Sequence, residues 1–434
     1  RPAATYTPAA VQHDAEVHAP VRRRPVRRPL AALFAAELIS TTGSEMAAIA
    51  LPWFVLITTG SAARMGLVMA AEFLGMTVLG VPSGHTATKI GPRRTMLVSD
   101  LARAGLIALI PLLHWVDALS FPVLLAVGFG VGTFFPAYSS SQQLVMAALL
   151  EDDELRMTRV GGLFGSVNET ASFIGPAVGG LLVALIGAPN VLVVDAVSFL
   201  VAFALVAVFV PRTPKPAPED LEGGALDGVR WLFRNQSLRW RVIGLAVVEI
   251  GFTAMVATLP VAALLRYGGS VRVAGWLLAA YGAGSVAGEV MSSRARSTGG
   301  RTADWAIAGL AVSTWPLVFA LPAWAVGVAV AANGVASGLF FPRFFATTTI
   351  RTPEPLRARV MTAVHTTLSA TGPIGFVAAG FLLHSTGSPT AGFVLVAAAM
   401  TAGAAIALAG GPLAESSPPG RDQPAAEPGD TAAG

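Results

Sequence analysis

Apolar residues along this chain fall into long blocks separated by short polar stretches. The blocks run near 30–58, 65–84, 96–115, 121–148, 161–186 and 189–210, then near 242–265, 273–292, 304–322, 324–348, 360–385 and 389–410. Most reach the roughly 20 residues that an α-helix needs to cross a bilayer. They are too many and too long to be signal peptides. The pattern predicts an all-α integral membrane protein with twelve transmembrane helices in two six-helix halves. Within one block, residues 173–182 read FIGPAVGGLL, a run whose proline and glycines would end a helix in water. The apolar block continues on both sides, so a helix is expected to pass through Pro176.

Outside the blocks the character changes. Residues 1–29 are rich in Pro, Ala and Arg and have no apolar period, and 412–434 are similar; both read as disordered tails. The long connection 211–241 separates the expected N-terminal half, 30–210, from the C-terminal half, 242–411. Its second part, with Leu226, Val229 and Trp231–Phe233, predicts a short amphipathic helix on the membrane surface. If both termini are cytoplasmic, the inner tails and loops hold 24 of the 29 cations (29 less Arg64, Arg266 and Arg272 outside and Arg103 and Arg343 within spans). The positive-inside rule therefore predicts a multi-pass plasma-membrane protein with both ends in the cytoplasm.

Composition narrows the chemistry. Charged residues make up 12% of the chain against about 25% in ordinary soluble domains. There is no cysteine, which excludes disulfides and thiolate metal sites. Two lysines among 29 cations fit a GC-rich bacterial genome. The basic balance suits an anionic inner leaflet better than nucleic acid. No HExxH, G-x-S-x-G or phosphate loop is present, so an enzyme, a cofactor and a metal are not expected.

The two halves echo each other. GTFFPAY (132–138) in the fourth block matches GLFFPRF (338–344) in the tenth, and Gly175-Pro176 in the fifth matches Gly372-Pro373 in the eleventh. Such internal repeats mark secondary transporters whose halves rock about a central site. The chain resembles the major facilitator superfamily, and within it the drug:proton antiporter branch of macrolide-efflux and enterobactin-exporter proteins. The resemblance rests on LPWFVLITTGSA (51–62), GHTATKIGPRR (84–94) leading into SDLARA (99–104), FFPAYSS (134–140), and GPAVGGLLVALIG (175–187) followed by DAVSFL (195–200). Gly84, Lys89, Gly91, Arg93 and Arg94 match the family's loop signature, but Thr88 stands where the family has an aspartate. Asp100, one turn from Arg103, either replaces that carboxylate or forms an i,i+3 ion pair.

Ionisable residues in hydrocarbon must face a cavity or a partner. Glu37, Ser40, Thr41, Ser44 and Glu45 share one face of the first helix. The resemblance implies that helices 1, 4, 7 and 10 surround a central cavity. Glu45, near mid-span, is the first choice for proton coupling, followed by Glu37, Glu169 and Glu249. Expected cavity residues are Ser44, Thr41, Phe134, Tyr138, Gln142, Asn168, Asn333, Phe340 and His365. His365 belongs to a polar stripe with Thr362, Thr366 and Ser369. Glu289 and His384, near helix ends, are expected to snorkel to the interface. Gly175, Pro176, Gly179 and Gly180 form a small-xxx-small stretch that the resemblance associates with sealing exporters against leak. Gly372 and Pro373 are its partner, although Phe376 and Val377 replace the second glycine pair. The expectation is a monomeric exporter of small amphiphilic organic compounds, driven by proton antiport; an importer or a lipid flippase on the same fold is the alternative.

Overall fold

The computed structural model describes residues 27–150, 154–212, 227–294, 300–353 and 356–411, with the side chains of some helical residues excepted. Its helices are α1 (Arg27–Thr59), α2 (Ala62–Ile90), α3 (Pro92–Trp115), α4 (Phe121–Leu150), α5 (Glu154–Ile186), α6 (Ala188–Phe209) and the short α7 (Asp227–Arg234). There follow α8 (Gln236–Arg266), α9 (Val271–Arg294), α10 (Gly300–Val312), a 3-10 turn (Trp315–Val318), α11 (Ala323–Arg351), α12 (Arg357–Thr386) and α13 (Pro389–Ala409). Helices are the only elements among the described residues. That is the outcome lipid enforces, because a helix satisfies its own backbone where water is absent.

Nine of these helices are long and apolar enough to span a membrane: α1, α3, α4, α5, α6, α8, α11, α12 and α13. Two of the remaining expected spans fall on α2 and α9, of 29 and 24 residues, whereas the one expected at 304–322 is not a single long helix: α10 ends at Val312 after 13 residues and the 3-10 turn follows. The tails at 1–26 and 412–434, and Leu226, lie outside the described residues. Val229 and Trp231–Phe233 fall in α7 as the periodicity predicts. Asn235 ends that helix and caps the next, its Oδ1 accepting the Leu238 N–H at 3.2 Å.

Six of the prolines inside helices form matching pairs, Pro52 in α1 with Pro260 in α8, Pro136 in α4 with Pro342 in α11, and Pro176 in α5 with Pro373 in α12, while Pro111 in α3 stands apart. In water each would end its helix. Here each helix continues, because no solvent competes for the backbone and neighbouring helices hold it. The repeat read from two motifs thus extends to three helix pairs.

Packing is also paired. In the first group α1 lies on α5 and α6, α2 on α4, and α3 on α4 and α6. In the last group α8 lies on α12 and α13, and α9 on α11. The groups meet where α2 crosses α12 and α5 crosses α9. The outer surface is apolar, with Leu112, Leu185, Val208, Val328 and Ile350 all more than half exposed, as lipid contact demands.

Each group is also tied near the face that carries the termini. In the first, Arg93 Nη2 donates to Ala207 O at 2.6 Å, joining the start of α3 to the end of α6. In the last, Arg241 is fully buried, and its Nη2 donates to Asp304 Oδ1 at 2.7 Å and to Gly411 O at 2.9 Å. One guanidinium thereby joins α8, α10 and the end of α13. Removing the carboxylate strands a buried cation, a loss of about 3 kcal/mol. Asp304→Ala is expected to lower the apparent melting midpoint of the purified protein, and adding Arg241→Met to recover part of it. A melting curve unchanged by Asp304→Ala would show that the tie carries no stability.

Candidate functional site

Close helix crossings build the site. Gly284 and Gly288 on α9, and Gly334 and Gly338 on α11, put small residues one turn apart on facing surfaces. A Cβ at Gly334 or Gly338 would collide with the backbone oxygen of Tyr281 or Ser285. The backbones therefore nearly touch, and side chains on the adjacent faces converge. Tyr281 donates its phenolic hydrogen to Ser337 Oγ at 3.0 Å. Asn333, only 1% exposed, donates through Nδ2 to Leu310 O at 3.0 Å and Ser313 Oγ at 3.1 Å, which ties α11 to α10.

A cavity of about 280 Å³ opens beside this crossing. Glu169 of α5, Glu249 of α8 and Glu289 of α9 enter it together with Asn333, and Phe252, Tyr281 and Phe341 give it aromatic walls. Of the expected residues, Glu169, Glu249 and Asn333 are thus brought together. Glu289 is a correction: it lines the cavity instead of snorkelling to the interface. Tyr281, Ser285 and Glu289 recur every four residues on one face of α9. That spacing was a signal in the sequence, but proximity to a helix end masked it.

The α1 stripe meets partners within the first group. Glu37 is 7% exposed; its Oε2 accepts from Gln142 Nε2 at 2.6 Å and its Oε1 from Thr41 Oγ1 at 3.3 Å. Glu45 Oε1 accepts from Ser172 Oγ of α5 at 2.8 Å. Ser44 and Phe134 are half-buried, and Asn168 is exposed. His365 is exposed and stacks on Phe345, ring centroids 4.8 Å apart. Two expected cavity residues lie in the core instead. Phe340 is fully buried and stacks on Phe344, and Tyr138 is 4% exposed beside Arg103.

Asp100 and Arg103 form no ion pair with each other. The Arg103 guanidinium lies 4.0 Å from the centre of the Phe199 ring and 5.2 Å from that of Tyr138, a cation–π arrangement. Among the described residues, neither carboxylate oxygen of the fully buried Asp100 has a hydrogen-bond partner. Gly91, at φ 91°, precedes Pro92 at the start of α3, a backbone turn that suits glycine. Gly84 and Lys89 lie in α2 among residues whose side chains are outside those described.

The Gly175, Pro176, Gly179 and Gly180 face of the FIGPAVGGLL stretch is buried between α1 and α9, while Phe173, Ile174 and Leu181 are exposed. Gly175 packs on the Glu45 side chain, and a Cβ at Gly179 would come within 2.9 Å of Met46 Cα. One at Gly180 would lie 2.9 Å from Gly275 Cα and 3.0 Å from Val271 O. Gly275 in turn faces Pro176 O. The α2–α12 crossing is built differently. Gly372 packs on the Phe73 ring, Phe73 meets Phe376 with ring centroids 5.1 Å apart, and Gly380 nests on Ala62 and Gly66.

Both crossings use the ends of α2, α5, α9 and α12 remote from the termini. The cavity lies on the other side of this seam: Glu289 is seven residues beyond Gly282, about 10 Å along α9. On α12, Thr362, His365, Thr366 and Ser369 are all exposed on that side. Such a polar stripe has to meet water, so the two groups are closed at one face and parted at the other.

The family model of the Major Facilitator Superfamily matches residues 33–302. The multidrug efflux pump Tap of Mycobacterium tuberculosis (strain ATCC 25618 / H37Rv) is 25% identical over 376 residues, 83% of this chain and 88% of that protein. Tap of Mycolicibacterium fortuitum is 27% identical over 383 residues, covering 83% and 90%. A crystal structure of the nucleoside transporter NupG shares the fold, with a TM-score of 0.70, 10% identity and coverage of 88% of this chain and 98% of that one.

The chain has no native cysteine, so label pairs can read the seam. With spin labels at Leu185 and Arg272, Gly180→Leu is expected to shift the α5–α9 distance to longer values, measured by double electron–electron resonance. An unchanged distribution would mean that the glycine contact does not hold the seam.

Proposed function

Because the chain belongs to the Major Facilitator Superfamily, we propose that this transporter exports small amphiphilic organic compounds by alternating access, in exchange for protons. The observation that carries the reading is a bundle closed across one face, with an acid-lined cavity on the other. The cation asymmetry supports an open face toward the cytoplasm, where an exporter must collect its cargo. The similarity to Tap, a multidrug efflux pump, supports the outward direction.

The bonding pattern supports rocking of the segments 30–210 and 242–411. The interhelical side-chain bonds of Gln142 to Glu37, Ser172 to Glu45, Tyr281 to Ser337, Asn333 to Ser313 and Arg241 to Asp304 each stay within one six-helix group. The described seam contacts are between small residues and aromatic rings. Such a seam can part at one face and form at the other while each group keeps its internal bonds.

Glu45 is the leading proton carrier. It holds its carboxylate at the seam through Ser172, and the backbone of α5 covers its side chain at Gly175. Parting of the seam would change its access to water, which a carrier requires. Glu169, three residues before Ser172, is the second. Glu37, bound by Gln142 and Thr41, serves the first group's internal packing as well.

In proteoliposomes with an imposed proton gradient, Glu45→Gln is expected to reduce gradient-driven efflux of a fluorescent amphiphile about tenfold or more, with Glu169→Gln intermediate. Gradient-driven efflux at wild-type rates in both variants would overturn the coupling assignment. Absence of any gradient-driven export by the wild-type protein, with probe entry instead, would overturn the direction.

A further inference from the structure

On the face that carries the termini, the edge of the last group gathers arginines and exposed aromatic rings. There α13 ends after 21 residues, about 31 Å, which is the thickness of a bilayer's hydrocarbon core, so Ala409 lies at the headgroups. Trp240 is at that level, since a Cβ at Gly410 would lie 3.0 Å from the Trp240 Cβ. So is Asp304, joined to Gly411 O through the Arg241 guanidinium. Trp305 follows it and is 78% exposed. On the same edge α7 packs on α8 and α12. Its Leu232 is fully buried, whereas Phe233 and Arg234 are exposed.

Indole rings favour the headgroup level of a membrane, and that alone would suit any phospholipid. The charge distribution narrows the choice. Among the described residues neither Arg234 nor Arg239 has a carboxylate partner; the ion pair of this edge is that of Arg241 with Asp304. The Arg239 guanidinium lies 5.5 Å from the centre of the Trp240 ring, a contact that brings no countercharge. Beneath them, Ser237 Oγ and Arg241 Nε and Nη1 are buried without an acceptor among the described residues. The edge therefore carries positive charge and donors in excess, and a phosphate answers both. A zwitterionic headgroup brings its own cation and gains less. A soluble anion lacks the acyl chains that the exposed rings would cover.

We propose that this edge is a docking site for an anionic glycerophospholipid, its phosphate met by Arg234 and Arg239 and its acyl chains lying against Phe233 and Trp240. The cation asymmetry of the chain supports the inner leaflet as its source. Asn235 ends α7 and caps α8, so the two arginines stand on either side of one tight junction. A headgroup held by both fixes the angle between those helices. Through Arg241 the grip extends to α10 and the end of α13. The last group is thereby anchored to the leaflet by its edge, a role that needs neither cargo nor a proton gradient.

Thermal unfolding of the full chain in a neutral detergent, followed by tryptophan fluorescence, tests this. The probes are dioleoyl-phosphatidylglycerol, dioleoyl-phosphatidylcholine and glycerol 1-phosphate. Phosphatidylglycerol is expected to raise the apparent melting midpoint by about 4 °C, and the other two by about 1 °C or less. Arg234→Gln combined with Arg239→Gln should remove most of that difference. Arg94→Gln combined with Arg212→Gln, at exposed cations of the first group, should preserve it. Equal shifts from the two lipids would leave an unselective aromatic belt, and a full shift from glycerol 1-phosphate would make this a soluble-anion site; either result overturns the proposal. So would an undiminished difference in the Arg234/Arg239 variant, or its loss in the Arg94/Arg212 variant. Native mass spectrometry of the wild-type chain in an equimolar mixture of the two lipids needs no variant. Preferential retention of phosphatidylglycerol supports the site, and equal retention sinks it.

Discussion

Hydrocarbon offers no hydrogen-bond partner, and the rest of this structure follows from that constraint. In water, Glu37, Glu45, Asn333 and Arg241 could satisfy themselves anywhere on a surface. In lipid, each must find a partner inside the bundle or face a cavity that admits water. Glu37 finds Gln142, Glu45 finds Ser172, and Arg241 finds Asp304 and a backbone oxygen at the end of α13. Asn333 satisfies its donors and leaves an acceptor over. The carboxylates of Glu169, Glu249 and Glu289, drawn together from three helices, mark the site.

Small residues serve two distinct purposes in the same architecture. Between α9 and α11 they bring two helices of one group together, and the Tyr281–Ser337 bond pins the crossing. At the seam they let α5 meet α9, and α2 meet α12, through backbone and aromatic contact. Dispersion forces fade over an ångström or so, and a crossing held chiefly by them parts without stranding a buried polar group. The glycine pattern alone does not separate the two cases. The difference lies in whether a side-chain bond accompanies it.

The helices and their order are legible in the sequence, since block length and hydrophobicity dictate them residue by residue. So is the repeat, and the proline pairs Pro52 with Pro260, Pro136 with Pro342 and Pro176 with Pro373 extend it. The site is legible only in part. Glu169, Glu249 and Asn333 are visible as polar residues where lipid forbids them, but their convergence is not, because they come from three helices. Glu289 is misread as a snorkelling residue, since position along a helix does not say which way the helix faces. Phe340 and Tyr138 stand in repeat-like motifs, yet their rings are core, Tyr138 lying beside the Arg103 guanidinium. Aromatic residues pack equally well on either side of a cavity wall, so type and spacing carry no information about which side they take.

Local physics therefore determined what this chain is made of: spanning helices, an internal repeat, a surface rich in apolar residues, and a short roster of polar residues needing an explanation. Each follows from free energies of transfer that depend on a residue and its near neighbours alone. Tertiary structure decided which polar groups pair, which glycine crossings are pinned and which are free, and that one face of the bundle is closed while the other is parted. Those outcomes depend on contacts between helices distant in sequence. FIGPAVGGLL shows the division. Its breakers announce a special helix on their own, but only the approach of Met46 on one side and Gly275 on the other makes it a seam.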